Sequence, residues 1–221
     1  MPETAAGRLA RERPAPVTSF CEEYLAETVA IVGALDRGEI ESLASCLAQV
    51  RDGQGRLFIL GVGGSAAHAG HAVNDFRKLC ELEAYAPTDN VSELTARVND
   101  DGWDGSFAAW LEGSRISSRD AVLVFSVGGG SRTPAVSTNI VRAIEAARDA
   151  GAHVLGIVGR DGGVTRAAAH ACVLIPPLFA DRVTPHTEGL CAVVWHLLVS
   201  HPRLQRSAGK WESVGGRAEA P

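Results

Sequence analysis

The chain has 221 residues, 46% of them hydrophobic, with 24 glycines and a formal net charge of −5. That length supports one sizeable core and makes a single α/β domain the default. An acidic balance without a basic run argues against a nucleic-acid surface, and five scattered cysteines with no CxxC pair suit a reduced, cytoplasmic setting.

Residues 1–18 mix Arg, Glu and Pro without an apolar h-region, so they read as a disordered leader rather than a signal peptide or anchor. No apolar stretch approaches the length of a membrane span. Helical periodicity then covers Ser19–Leu35 and Glu39–Val50, split by Asp36-Arg37-Gly38. This helical hairpin either covers one side of a sheet or packs against another subunit.

Four short apolar runs follow, Leu57–Leu60, Ala121–Phe125, His153–Val158 and Ala171–Ile175, with Glu83–Ala86 a weaker fifth. Helical patterns separate them: Ala66–Leu79, Ser92–Val98 with Trp103–Leu111, Pro134–Ala150 and Val164–Ala169. Continuous apolar strands alternating with helices predict a doubly wound, mainly parallel five-stranded sheet with helices on both faces. A last apolar helix is expected over Thr187–Ser200. The domain is thus residues 19–202, with 203–221 a flexible tail.

Two glycine-serine turns follow strands and precede helices: Gly61-Val62-Gly63-Gly64-Ser65 and Ser126-Val127-Gly128-Gly129-Gly130-Ser131. Each offers backbone N–H groups and the positive end of a helix dipole to an anion. The dinucleotide fingerprint fails because position 66 is Ala, and neither turn has the lysine of a P-loop. A phosphate monoester is therefore a better guest than a nucleotide, and two such turns in one sheet favour an anion site over plain turns.

His71 and Asp75 are four residues apart and project from one side of their helix. Glu188 and His196 lie eight apart on the last helix, within about a quarter turn of each other. Two helices thus each carry a carboxylate and a histidine, groups suited to acid/base work or to a divalent ion. Isolated, His71 and Asp75 would read as a surface ion pair, and His196 beside Trp195 as a satisfied core histidine. Asn99-Asp100 caps a helix or meets sugar hydroxyls. Asp181 and Arg182 belong to a Pro-rich approach that can close over a site.

From Phe20 to Pro202 the chain resembles the SIS (sugar isomerase) domain family, and within it the phosphoheptose isomerases. The resemblance rests on Gly63-Gly64-Ser65 with His71 and Asp75 behind it, Asn99-Asp100, the Ser126–Ser131 loop, the Gly159-Arg160-Asp161-Gly162-Gly163 turn, and the Glu188-x7-His196 spacing. It implies an aldose–ketose isomerase converting sedoheptulose 7-phosphate to D-glycero-D-manno-heptose 7-phosphate through an enediol(ate). Alternatives are isomerisation of another ketose phosphate, or a non-catalytic sugar-phosphate-binding regulator.

The resemblance further implies a homotetramer with interfacial active sites and one zinc per subunit, with no nucleotide, nucleic-acid or membrane partner. Asp75 and His196 would be catalytic. His71, Asp75, Glu188 and His196 would hold the metal. Gly63, Gly64, Ser65, Asn99, Asp100, Ser126, Gly128, Gly129, Ser131 and Asp181 would bind the phosphosugar. The chain departs from the family pattern with Asp75 for Glu, Val127 and Gly128 for two hydroxyl donors, Val62 for Asn and Glu188 for Gln.

Overall fold

In the computed structural model residues 19–211 are described, so the leader expected over 1–18 and the end of the tail lie outside them. Strands β1 (Leu57–Leu60), β2 (Ala84–Tyr85), β3 (Ala121–Ser126), β4 (His153–Val158) and β5 (Ala171–Leu174) form one parallel sheet in the order β2-β1-β3-β4-β5. Every residue of β1 and β3 is buried, as apolar strands covered on both faces should be. The weak fifth run shrinks to an edge strand that pairs Leu57 with Ala84 and Phe58 with Tyr85.

The helices are α1 (Phe20–Gly33), α2 (Arg37–Asp52), α3 (Gly64–Cys80), α4 (Val91–Gly113), α5 (Thr138–Asp149), α6 (Gly163–Ala168) and α7 (Val183–Val199). Alternating strand residues feed two cores. Leu57, Ile59, Leu123, Phe125, Leu155 and Ile157 meet α2, α3 and α7, whereas Phe58, Leu60, Val122, Val124 and Val154 meet α4 and α5. Gly102, at φ 73° and ψ 163°, breaks α4 in two, where the sequence pattern also splits.

Of the N-terminal hairpin, α2 supplies the cover. It buries Ile40, Leu43, Ala44, Leu47 and Val50, while α1 buries only Glu27 and Ile31. The outer stripe of α1 stays in solvent, with Leu25 64% and Val29 71% exposed and Val32 beside them. What ties α1 down is polar. Arg182 donates from Nε (2.8 Å) and Nη2 (2.5 Å) to the Glu27 carboxylate, and buried His186 places Nε2 2.8 Å from Glu27 Oε2. Tyr24 stacks on His186 with ring centroids 4.5 Å apart. The hydrogen bonds from Arg182, ahead of those from His186, hold the Glu27 carboxyl down at about 2.

Two helix starts differ from expectation. Helix α5 begins at Thr138 rather than Pro134, because Ser131 and Val136 exchange backbone hydrogen bonds of 2.9 and 3.0 Å and hold the intervening residues in a loop. Helix α7 begins at Val183 rather than Thr187. Pro185 falls in its first turn, where a missing N–H breaks no intrahelical bond.

The packed chain also runs past Pro202, so the tail expected over 203–221 is anchored at its start. Leu204 is fully buried. Arg51 Nη1 donates to the carbonyls of Arg203 (3.1 Å) and Leu204 (2.8 Å). The N–H groups of Arg206 and Ser207 donate to Leu79 O, one of the carbonyls that the end of α3 leaves without a helical partner. Among the described residues, no helix is long and apolar enough to cross a membrane.

With β1 and β3 adjacent, and β2 and β4 on either side of them, the sheet changes its direction of growth between β1 and β3. In this strand order the crevice outside the C-terminal ends of those two strands is the natural ligand site. Both glycine-serine loops emerge there.

Candidate active site

The first loop turns at Gly63, whose φ of 62° and ψ of −126° suit only glycine, and leads into α3. No side chain caps the helix, and within its first turn Ala66 N–H bonds back to Gly63 O. The N–H groups of Gly64 and Ser65 thus have no acceptor among the described residues, and the Ser65 side chain lies just behind them, buried.

Across the crevice, Gly129 N–H donates to Ser126 Oγ (3.0 Å), while Gly129 O accepts from Thr165 N (2.9 Å) and Oγ1 (2.7 Å). Gly129 has φ 68°, and a Cβ there would lie 1.9 Å from Gly162 O. This glycine locks the second loop onto the start of α6. Between the loops lies a cavity of about 300 Å³ lined by Val62, Ser65, Ser126, Val127, Gly128, Ser137, Arg160 and Glu188, among others. A second cavity of about 580 Å³ shares Val127 and Arg160 with it and continues past Asp161, Asp181 and Thr184.

A polar cluster stands further along the seam between α3 and α7. Asp75 Oδ2 is 3.7 Å from His71 Nε2 and 3.9 Å from His196 Nε2, and all three ligand atoms lie within 4.8 Å of one another. Each side chain is partly fixed. His196 Nδ1 lies 2.7 Å from Ala192 O, which places its proton on Nδ1 and turns Nε2 towards the cluster. Asn74 Nδ2 donates to Asp75 Oδ1 at 2.8 Å, leaving Oδ2 to the histidines. The His71 ring stands edge-on to Trp195, with centroids 4.8 Å apart. Asp75 is 15% exposed at its side chain, His71 and His196 about half, so the cluster opens to solvent on one side.

The structure brings three of the four expected ligands together and leaves Glu188 apart. Its carboxylate covers the start of α3, where a Cβ on Gly64 would lie 2.7 Å from Glu188 Oε1. Sharing a helix face did not bring Glu188 to His196, because eight residues separate them by about 12 Å along the axis. Glu188 belongs to the cradle end of the seam, and His71, Asp75 and His196 to the other.

Of the remaining expected residues, Ser65, Ser126 and Gly128 line the smaller cavity and Asp181 the larger one. Gly63, Gly64 and Gly129 shape the loops from outside the lining. Ser131 lines neither cavity, its backbone being paired with Val136. Asn99 and Asp100 are exposed on α4, hydrogen-bonded to each other at 2.8 Å, and line neither cavity. Two polar residues lining the smaller cavity escaped the sequence reading. Ser137 was hidden by the misplaced start of α5, and Arg160 by its setting in an otherwise ordinary glycine turn.

Residues 22–159, more than half of the chain, match the SIS domain. The chain belongs to the SIS domain family. It is 33% identical over 188 residues to a phosphoheptose isomerase of Solidesulfovibrio magneticus, covering 82% of this chain and 85% of that one. It is 34% identical over 161 residues to that of Geobacter sulfurreducens, covering 69% and 82%. The structure of a phosphoheptose isomerase from Neisseria gonorrhoeae shares its fold with a TM-score of 0.71 at 25% identity, covering 81% of this chain and 96% of that one. In this SIS domain the segment matched ends at Gly159, so α7, which carries Glu188 and His196, lies beyond it.

Proposed function

We propose that this protein is an aldose–ketose isomerase that converts sedoheptulose 7-phosphate to D-glycero-D-manno-heptose 7-phosphate through an enediol(ate). The observation that carries this reading is the placement of an anion cradle and an acid/base cluster along one α3/α7 seam, in a chain a third identical to proteins named phosphoheptose isomerase. From Gly64 to His71 the helix rises about 10 Å. A phosphate at the cradle therefore leaves a sugar chain of several carbons to run along the seam, with its carbonyl end at the cluster.

Isomerisation moves one proton from C1 to C2 and another from the C1 hydroxyl to the C2 oxygen. Asp75 is the base that takes the proton from C1 and returns it to C2. His196, with Nδ1–H held by Ala192 O, uses Nε2 to take the O1 proton and deliver one to O2. Atoms and charge balance over the cycle, and both residues return to their starting state.

The two imidazoles and one carboxylate form a donor set that fits zinc or a similar divalent ion. Such an ion, when bound, supplies Lewis-acid polarisation of the carbonyl. Ligation and proton transfer then draw on the same two side chains, Asp75 and His196. A homotetramer with active sites between subunits follows from the family resemblance. The exposed apolar stripe of α1 and the exposed Val193 and Leu197 of α7 support it, as does the half-open cluster.

A coupled assay on a panel of ketose phosphates, with metal analysis of the purified protein, tests the reading. Turnover should be greatest with sedoheptulose 7-phosphate. Asp75→Asn and His196→Ala should each lower kcat by roughly 10²- to 10⁴-fold. Near-full activity in both variants would remove these roles. Turnover of another ketose phosphate instead would change the substrate, and tight binding without any turnover would mark a regulator.

A further inference from the structure

The cradle holds hydroxyls, a carboxylate and one cation. Ser65, Ser126 and Ser137 line it as neutral groups, and Glu188 brings negative charge to the wall beside the start of α3. A phosphate dianion placed there meets the Glu188 carboxylate in a partly enclosed space where screening is weak. Helix-terminal N–H groups and hydroxyls bind phosphate but carry no full charge to offset that repulsion. The one cationic side chain on the lining is Arg160.

Three observations place the Arg160 side chain for this task. It lines both cavities, so it stands at their junction. Its Cδ lies 3.7 Å from where a Cβ on Gly128 would be, an ordinary van der Waals distance, so the side chain lies against the phosphate loop. Arg160 also has no ion-pair or side-chain hydrogen-bond partner among the described residues, whereas Arg51, Arg56, Arg97, Arg132 and Arg182 each hold a carboxylate. Its neighbour Asp161 directs Oδ1 to Gly163 N–H instead (3.2 Å).

We infer that Arg160 is the phosphate-binding cation of this site, closing over the substrate's phosphate from the side opposite Ser65 and offsetting the charge of Glu188. This rests on the cradle being the phosphate end of the substrate site. The planar guanidinium offers two parallel N–H donors to two phosphate oxygens, a geometry that an ammonium does not reproduce. Removing a contact made equally in the ground state and the transition state raises KM and spares kcat.

The test compares wild type, Arg160→Gln and Arg160→Lys in the isomerase assay, and measures inorganic phosphate binding by calorimetry on the same proteins. Arg160→Gln should raise KM roughly 10- to 100-fold, with the change confined to KM, and should weaken phosphate binding by a similar factor. Arg160→Lys should recover part of both. Unchanged phosphate affinity in Arg160→Gln overturns the inference, as does a fall in kcat at constant KM. If wild type turns over none of the sugars tested, the calorimetry still decides. Phosphate binding lost with Arg160→Gln upholds the anion site while the isomerase reading fails, and phosphate binding absent from wild type overturns the site itself.

Discussion

Replacing Gly64 by Ala adds one methyl group at the junction of α3 and α7. The new Cβ would lie 2.7 Å from Glu188 Oε1 and 3.0 Å from both Oε2 and the carboxyl carbon. Ordinary contact would require the carboxylate to retreat by about 1 Å, and it is the end of a flexible side chain, so retreat costs little. Gly64 begins α3 with helical backbone, and Ala in place of Gly changes helix stability by less than about 1 kcal/mol. The melting temperature should therefore move by no more than about 4 °C. Activity should respond more strongly, because Glu188 lines the small cavity and its displaced carboxylate bears on the phosphate bound there, and a misplacement of about 1 Å in a site can cost roughly 100-fold. We expect kcat/KM for the phosphosugar to fall roughly 10- to 100-fold. The double variant Gly64→Ala/Glu188→Ala should be no worse than Glu188→Ala alone, since both changes act through one carboxylate. Unaltered kcat/KM would refute a role for Glu188 at the cradle. A melting point lowered by ten degrees or more would refute the premise that its carboxylate is free to move.

The other predictions concern what keeps the cradle in place. Asp120, 2% exposed, accepts from Arg56 N, Nε and Nη2 and from Ser117 N and Oγ, bonds that outweigh its burial and lower its pKa. Asp120→Ala takes the carboxylate from Arg56, which keeps only the carbonyls of Ser114 and Arg115, and strips Ser117 N–H of its acceptor just before β3, and should cost about 1–3 kcal/mol in urea unfolding. Leu204→Ala should cost about 2–5 kcal/mol by the same measurement, whereas a tail that merely trails would cost nothing. The Glu27 carboxyl is depressed in the fold from 4.5 to about 2. Its contribution to stability is therefore complete above pH 4.5 and lost as pH falls towards 2. Glu27→Gln should flatten the acid limb of a pH–stability curve in that window.

Much of the fold is legible in the residues. The apolar runs of β1, β3, β4 and β5 are short, continuous and bounded by turn residues, so their burial follows from composition alone. Gly102 broke α4 where the helical pattern was already interrupted. The start of α5 was misplaced because the Ser131–Val136 pairing leaves no trace in periodicity, and with it Ser137 was overlooked. The pairing of His71 with Asp75 was readable because four residues make one helical turn. The pairing of either with His196 needed the packing of α3 on α7.

Local features are already written in the residues: which segments are strands, which loops can offer N–H groups to an anion, and which helices carry acid/base side chains. Those depend on spacings of a few residues, where backbone geometry is stereotyped. Tertiary structure alone decided the rest. Strand order set both glycine loops at the same crevice, and the seam of α3 and α7 gathered His71, Asp75 and His196 while holding Glu188 some two helical turns away. The turn after β4 carried Arg160 over Gly128, and the α3 carbonyls captured the chain beyond Pro202. Each of these is a meeting of residues distant in the chain, settled by how whole elements bury their apolar faces.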